Sequence, residues 1–211
     1  MGVDHKYRSE RYFSDEKMLW GSFVGGDIDA YEKLFNLFYN DLYRYGLNLS
    51  PRHDLVRDNI HTLFVDMWDR KEFLGDVKSV KAYFLASLRR RILKQLLREK
   101  KRSPLSATSL HTENLIQISI EESLIQDEMA DFQKQALRDA LDLLPERQKE
   151  VLFLKYYNGM SYDEIEEILA INYQSIRNHI YRALQKLRIH FMEKENSVGT
   201  LILMIPLLLL L

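Results

Sequence analysis

Apolar residues recur every three or four positions along most of this chain, which is the period of an α-helix with one buried face. Three such runs fill the first half. Their apolar positions are Leu34, Phe38, Leu42 and Tyr45, then Val56, Ile60, Leu63, Phe64 and Met67, then Leu85, Leu88, Ile92 and Leu96. A polar stretch, DRKEFLGDVK at 69–78, separates the second run from the third, and Ser79 is suited to cap the third helix. The pattern predicts a small bundle of amphipathic helices.

The periodicity stops in the stretch SPLSATSLHTENLIQIS, which is rich in serine and threonine and contains Pro104. This composition predicts a linker at 103–120. Helical periodicity resumes near Glu121 and continues to about Glu195. We therefore expect an all-α fold made of two small helical domains, at 14–102 and 121–195, which a flexible linker joins.

The second domain carries the signals of a helix-turn-helix. Pro145 suits the first turn of a helix, where its missing N–H costs nothing. Ser161 and Glu164 have the spacing of a capping box, in which each side chain bonds a backbone N–H of the other's turn. A short apolar run follows, and Asn172 is placed to cap one more helix. The order of these signals predicts that the last helix can enter a DNA major groove.

The last helix has one apolar and one polar face, and 173–191 contains no acidic residue. Its apolar stripe consists of Ile176, Ile180, Ala183, Leu184, Leu187 and Phe191. Arginine, asparagine and glutamine can form paired hydrogen bonds with base edges, and further cations suit phosphates. The candidate DNA-binding residues are Gln174, Ser175, Arg177, Asn178, Tyr181, Arg182 and Lys186. The alternative is a solvated basic face on a helix that serves only the core.

A second basic segment covers Lys78 to Arg102, where Glu99 is the only acid. Tyr83 and Phe84 lie in the same segment, and Phe73 lies in the loop just before it. Cations beside aromatic rings suit single-stranded nucleic acid, because bases stack on the rings while the cations neutralise phosphates. The alternative for Tyr83 and Phe84 is that they are core residues within a solvated, charged helix.

Composition narrows the function classes further. The 211 residues carry 30 Lys and Arg against 31 Asp and Glu, so net charge alone does not indicate nucleic acid. The absence of cysteine excludes disulfides, thiolate metal sites and cysteine catalysis. We find no carboxylate pair, phosphate-binding glycine loop or nucleophile constellation, so we expect no catalytic residue, metal, cofactor or small-molecule substrate. The first ten residues lack the apolar segment of a secretory signal, so we expect a cytoplasmic protein.

The tail at 196–211 ends in the apolar run LILMIPLLLLL. A membrane-spanning helix needs roughly 20 apolar residues, and this run is shorter and contains Pro206. Docking on protein is the preferred interpretation, and membrane association or a tail without a role are the alternatives.

Taken together, the two basic units resemble the extracytoplasmic-function (ECF) sigma factors of the sigma-70 class. GDIDAYEKLFNLFYNDLYRYG, DNIHTLFVDMW and SVKAYFLASLRRRILKQLLREKKR are similar to region 2 of that family, and the helix-turn-helix resembles region 4. The resemblance implies a protein that binds core RNA polymerase and directs promoter-specific transcription initiation. Region 4 would bind the upstream element as duplex, and region 2 would stabilise the melted downstream strand. An anti-sigma factor is a further implied partner.

The resemblance also implies roles for individual residues. Those on the helix that would grip the polymerase clamp are Asp58, His61, Asp66 and Trp68, with His61 where the family usually has glutamine. Those that would contact DNA in region 2 are Phe73, Asp76, Lys78, Arg89, Arg90, Arg91 and Lys94. Phe73 and Asp76 belong to the loop that would capture a flipped base.

The turn of the helix-turn-helix departs from the family at two positions. Glu166 replaces the usual alanine, so its side chain must point outward or bend the packing. Ala170 replaces the usual glycine at a site that commonly needs a left-handed backbone, at a cost of roughly 1 kcal/mol. These departures keep open a sigma-like protein that acts only as an interaction module. A separate rival is a stand-alone helix-turn-helix regulator, in which the first half would be a ligand-sensing or dimerising helical domain.

Overall fold

The computed structural model describes residues 15–102 and 131–193, and the structural statements below concern these two ranges. Helix α1 covers 15–24. The next helices are α2 (Ile28–Leu49), α3 (His53–Asp69) and α4 (Val80–Arg102), with a 3₁₀ turn at Lys71–Phe73. The second range contains α5 (Asp131–Asp142), α6 (Glu146–Leu152), α7 (Tyr162–Leu169) and α8 (Tyr173–Glu193), with a π-helical turn at Phe153–Tyr157 after α6. Both ranges are helical without a strand, so the all-α prediction is confirmed.

Helices α1 to α4 form the first unit. The apolar positions predicted on its three long helices are buried, except Leu96, which is partly buried. Sequence analysis missed α1, which adds Trp20 and Phe23 to this core. Phe84 is also a core residue, because its ring packs against Phe38 and stacks on Phe64. The interpretation of Phe84 as a core aromatic is therefore the correct one.

Polar side chains set the helix starts in the first unit. The carboxylate of Asp27 accepts hydrogen bonds from the backbone N–H groups of Asp29 and Ala30 at the start of α2. Ser79 accepts one from the N–H of Ala82 at 3.2 Å, which confirms the predicted cap of α4.

Helices α5 to α8 form the second unit, in which the predicted stripe of α8 is entirely buried. Pro145 lies one residue earlier than predicted, immediately before α6, where its carbonyl accepts from the N–H groups of Gln148 and Lys149. The π-helical turn after α6 was not predicted either. It buries Phe153 and directs the ring of Tyr157 onto it, at 4.7 Å between centroids.

The two units pack against each other, with α7 lying on α4. The sequence alone does not predict this arrangement of the two domains. None of the helices described here is long and apolar enough to span a membrane. The predicted linker at 103–120, the start of the second domain at 121–130 and the tail at 196–211 lie outside the described residues.

Candidate nucleic-acid interface

The polar face of α8 is turned toward solvent. Ser175 is half-buried, whereas the other six candidates of this helix, Gln174, Arg177, Asn178, Tyr181, Arg182 and Lys186, are exposed. The opposite stripe is fixed in the core, so α8 cannot rotate without unpacking the unit. The structure therefore brings the predicted set together on one accessible surface.

Local bonds fix the turn that aims α8. The capping box at the start of α7 is present, with Ser161 accepting from the N–H of Glu164 and donating its own N–H to the Glu164 carboxylate. Ala170 ends α7 in the left-handed conformation, with φ 52° and ψ 44°, as predicted for the position where the family has glycine. Asn172 then caps α8 by accepting from the N–H of Ser175 at 2.8 Å. Glu166 is half-buried at the edge of the apolar face of α7.

Arg147 on α6 makes a contact with this turn that sequence analysis missed. Its guanidinium donates to the carbonyl oxygen of Leu169 at 2.8 Å and so satisfies the C-terminal end of α7. The spacing of 22 residues between donor and acceptor leaves no local pattern by which the contact could be recognised.

The polar side chains of α8 are held in order along the helix. The amide of Gln174 donates to that of Asn178 at 3.2 Å, and the guanidinium of Arg177 lies 6.0 Å from the ring centroid of Tyr173. The amide of Gln185 donates to the hydroxyl of Tyr181 at 2.7 Å. Such contacts hold these polar side chains against one another along the exposed face of α8.

The loop between α3 and α4 presents an exposed aromatic ring. The Phe73 side chain is 87% exposed, and Asp76 and Lys78 are exposed beside it in the chain. The indole N–H of Trp20 donates to the carbonyl oxygen of Gly75 at 3.1 Å and ties the loop to α1. An aromatic side chain of this size left in solvent on an anchored loop can stack with an unpaired base.

An open groove of about 600 Å³ lies between α3 and α4, next to this loop. Arg90 and Lys94, both predicted to contact DNA, line it and are exposed, and Arg70 and Arg98 line it as well. Tyr83 lies on the groove and packs edge-on against Trp20, so it is partly buried rather than free to stack. The groove is thus a basic channel that ends near Phe73.

Two of the predicted DNA contacts are engaged elsewhere in the chain. Arg91 is paired with Asp66, the residue expected to bind polymerase. Arg89 donates to the buried carboxylate of Glu150 on α6, and its side chain is only 13% exposed. In this compact arrangement, Arg89 is therefore not accessible to DNA.

The four residues predicted to bind polymerase do not form one free surface. Asp58 and His61 are exposed on α3, and the His61 ring lies 5.9 Å from that of Phe35. Asp66 contacts Arg91. Trp68 is partly buried, with the Lys71 ammonium 4.3 Å from its ring centroid.

Comparison with known proteins agrees with this geometry. Residues 134–187, which contain α6 to α8 up to Leu187, match the family model for Sigma-70, region 4. RNA polymerase sigma factor SigV of Bacillus subtilis is 24% identical over 160 residues, which cover 76% of this chain and 87% of SigV. ECF RNA polymerase sigma factor SigM of the same organism is 22% identical over 157 residues, which cover 74% of this chain and 92% of SigM. The chain is therefore similar to the ECF sigma factors of the sigma-70 class, and its second unit matches the region 4 model of that class.

Two solved structures share the fold of this chain. CnrH, in complex with the cytosolic domain of CnrY, has a TM-score of 0.57 at 16% identity and is matched over 86% of this chain and 99% of its own. The sigma factor RpoE, in complex with the anti-sigma factor NepR from Bartonella quintana, has a TM-score of 0.53 at 19% identity, over 79% and 98% of the two chains. The fold of the chain therefore has counterparts in these two solved structures.

Proposed function

We propose that this chain is a sigma factor, which binds core RNA polymerase and directs promoter-specific transcription initiation. The observation that carries the proposal is the presence of two separate basic surfaces on two folded units. The face of α8 offers arginine and amide groups without an acid, and the groove on α4 offers cations next to the exposed ring of Phe73. The first surface suits base edges in a duplex and the second suits a single strand.

The two basic surfaces bind different parts of the promoter in this proposal. Helix α8 reads the upstream promoter element through Arg177, Gln174 and Asn178, while Arg182 and Lys186 neutralise phosphates. The loop around Phe73 receives a base of the melted downstream strand, whose phosphates lie along Arg90 and Lys94. Asp58 and His61 on α3 contribute to polymerase binding. Nucleotidyl transfer belongs to the polymerase, since the sigma-70 family is not a class of enzymes.

A protein partner that sequesters the sigma factor is part of the proposal. CnrH and RpoE, which share its fold, were each solved with a bound protein, an anti-sigma factor in the case of RpoE. We infer that an anti-sigma factor binds this chain too.

Reconstituted transcription tests the proposal. The purified protein is added to core RNA polymerase with fragments of the genome from which the chain derives, and transcripts are mapped by their 5′ ends. We expect transcripts that begin at a defined subset of sites and require the protein. Phe73→Ala should reduce strand opening at these sites, measured by permanganate reactivity, while Glu72→Ala in the same exposed turn should not.

The rival functions predict different results. A stand-alone regulator binds duplex DNA specifically without being retained by polymerase, and an interaction module is retained by polymerase without producing any transcript. Either result would overturn the proposal.

A further inference from the structure

The boundary between the two units contains a buried carboxylate that accepts hydrogen bonds from three side chains. Glu150 on α6 is 1% exposed. It accepts from Arg89 Nε at 2.8 Å, from Arg147 Nη1 at 3.0 Å and from the hydroxyl of Tyr45 at 2.8 Å. Arg89 and Tyr45 belong to the first unit, whereas Glu150 and Arg147 belong to the second. The carboxylate of one unit is therefore bound in a site that the other unit provides.

The charge of this carboxylate is maintained by its partners. Burial alone would raise the pKa of Glu150, but the guanidinium groups of Arg89 and Arg147, together with the hydroxyl of Tyr45, hold it below its ordinary value. The ring of Tyr45 also stacks on Phe153 across the boundary, at 6.2 Å between centroids and 17° between planes. Glu150 is therefore ionised while the two units are in contact.

The donors on the first unit would suit a different anion equally well. A guanidinium group with a neighbouring hydroxyl binds carboxylate and phosphate oxygens by the same charge-assisted hydrogen bonds. Arg89 also lies on α4 beside Arg90, which lines the basic groove and is exposed. If the second unit moved away, Arg89 would extend the cationic surface of that groove.

Two further polar contacts across the boundary can be exchanged for water more readily. Lys81 donates to the carbonyl oxygen of Asn158 at 3.3 Å, and Arg44 donates to the hydroxyl of Tyr157 in an exposed contact. Glu150 differs from these groups because an ionised carboxylate at 1% exposure depends on its partners. It is thus the contact whose loss should weaken the compact form most.

We propose that Glu150 is an internal anionic ligand that occupies the Arg89–Tyr45 site in the compact form and that a DNA phosphate replaces it when the units separate. The inference rests on the proposed function, because it takes promoter DNA to be the ligand of α4. It assigns to one residue the role of keeping region 2 from DNA until the units part.

Separation of the units can be measured by fluorescence energy transfer. The chain has no cysteine, so Glu32→Cys on α2 and Ile189→Cys on α8, both at exposed positions, provide a labelled pair without background. Glu150→Gln should lower the transfer efficiency of the free protein, because two guanidinium groups would then face each other around a neutral amide. Glu167→Gln, an exposed change of the same type in the same unit, should leave it unchanged.

Binding of a mixed-sequence single-stranded oligonucleotide, followed by fluorescence anisotropy, tests the exchange of ligands on α4. We expect Glu150→Gln to lower the Kd by roughly five- to tenfold, the size of a typical coupling between sites. The slope of log K against log salt concentration should also steepen by about 0.7, the value for one additional phosphate contact with a single strand. The lower Kd and the steeper salt dependence should both be lost when Arg89→Gln is combined with Glu150→Gln.

The inference is wrong if Glu150→Gln leaves the transfer efficiency unchanged. It is also wrong if the tighter DNA binding of Glu150→Gln persists when Arg89 is replaced by Gln. Should Glu150→Gln fail to fold, as judged by circular dichroism, Tyr45→Phe removes one donor and keeps the ring stack. Tyr45→Phe should lower the transfer efficiency and the Kd for DNA, each by less than Glu150→Gln does. If neither quantity changes, the inference is contradicted as well. Transcription by the wild-type protein with core polymerase distinguishes failure of the proposed function from failure of this inference. If no transcript forms, the proposed function is wrong. If transcripts form normally but Glu150→Gln changes neither readout, only the inference is wrong.

Discussion

Arg91 on α4 and Asp66 on α3 are paired across the groove between the two helices. The Arg91 side chain is 25% exposed and that of Asp66 is 46% exposed, so water screens the pair only partly. Arg91 also donates to the carbonyl oxygen of Thr62 at 3.4 Å, which directs its guanidinium toward α3 rather than along the groove. One cation of the basic run is therefore neutralised within the chain, next to Arg90 and Lys94, which face the groove.

Asp66→Asn should strengthen binding of a single-stranded oligonucleotide, because it releases Arg91 and removes a negative charge from the groove. The free energy of unfolding should fall by less than about 1 kcal/mol, as is usual for a partly exposed pair. Anisotropy measures the first effect and urea denaturation the second. Asp58→Asn makes the same charge change on an exposed position of α3. If it improves binding equally, net charge rather than Arg91 is responsible.

The sequence predicts those parts of this fold that depend on local spacing. The apolar stripes of α2, α3, α4 and α8 and the capping box at Ser161 follow from residues a few positions apart. The left-handed backbone at Ala170 is instead implied by the family resemblance, since the family has glycine there. Helix α1 escaped prediction because its ten residues are too few to establish a period.

Contacts between distant parts of the chain could not be predicted in this way. Glu150 looks like an ordinary surface residue of a short helix, since its partner Arg89 lies 61 residues earlier. The same holds for Trp20, which anchors a loop 55 residues later. As a result, the sequence indicates which residues of α4 are basic but not which of them another side chain already engages.

Gly46→Ala should destabilise the first unit, because α2 and α3 approach each other closely at this residue. A Cβ at Gly46 would lie 2.4 Å from Cγ1 of Val56, a fully buried side chain that has no space to move. We expect a loss of about 1–3 kcal/mol in the free energy of unfolding, measured by urea denaturation. Gly21→Ala on α1 is the control, since nothing lies within 4 Å of its Cβ position. There, the better helix propensity of alanine should give a gain of up to roughly 1 kcal/mol.

Glu16→Gln should stabilise the protein at neutral pH. Burial raises the pKa of the Glu16 carboxyl; the ammonium of Lys81 opposes this shift, while the carboxylates of Glu164 and Asp41 add to it. Because the folded state holds the proton more tightly than the unfolded state, Glu16 favours folding most below its unfolded pKa. That contribution is lost as the pH rises through the folded pKa.

The difference in unfolding free energy between Glu16→Gln and wild type should therefore be largest near pH 7, at up to about 1 kcal/mol. It should shrink as the pH falls toward 4.5, the ordinary pKa of a glutamate carboxyl. Urea denaturation at several pH values measures it. Glu32→Gln, at an exposed position of α2, should give no such trend. A stability difference for Glu16→Gln that does not vary with pH would contradict the explanation.

Ala170→Gly should stabilise the second unit, in contrast to glycine substitutions within helices. Ala170 is exposed and has a φ of 52°, a conformation that costs a residue with a Cβ roughly 1–2 kcal/mol. Glycine removes this cost, but its greater conformational freedom in the unfolded chain offsets part of the effect. We therefore expect the free energy of unfolding to rise by about 0.5–1 kcal/mol. Ala136→Gly inside α5 makes the same substitution and should instead cost about 1 kcal/mol. Guanidinium denaturation of both variants checks the opposite signs.

Arg177→Ala should weaken the recognition of upstream promoter DNA in a sequence-dependent way. Arg177 is exposed near the start of α8, next to the Gln174 and Asn178 amides, where side chains of a recognition helix reach base edges. Loss of a paired bond to a base costs about 1–3 kcal/mol of binding energy and relaxes specificity at one position, whereas loss of a phosphate contact weakens all sequences alike. Lys186→Ala, further along the same exposed face, should weaken binding to all sequences alike. Selection of bound sequences from a randomised upstream element, compared between the two variants and wild type, distinguishes these outcomes. An unchanged sequence preference with Arg177→Ala would place base reading elsewhere on α8.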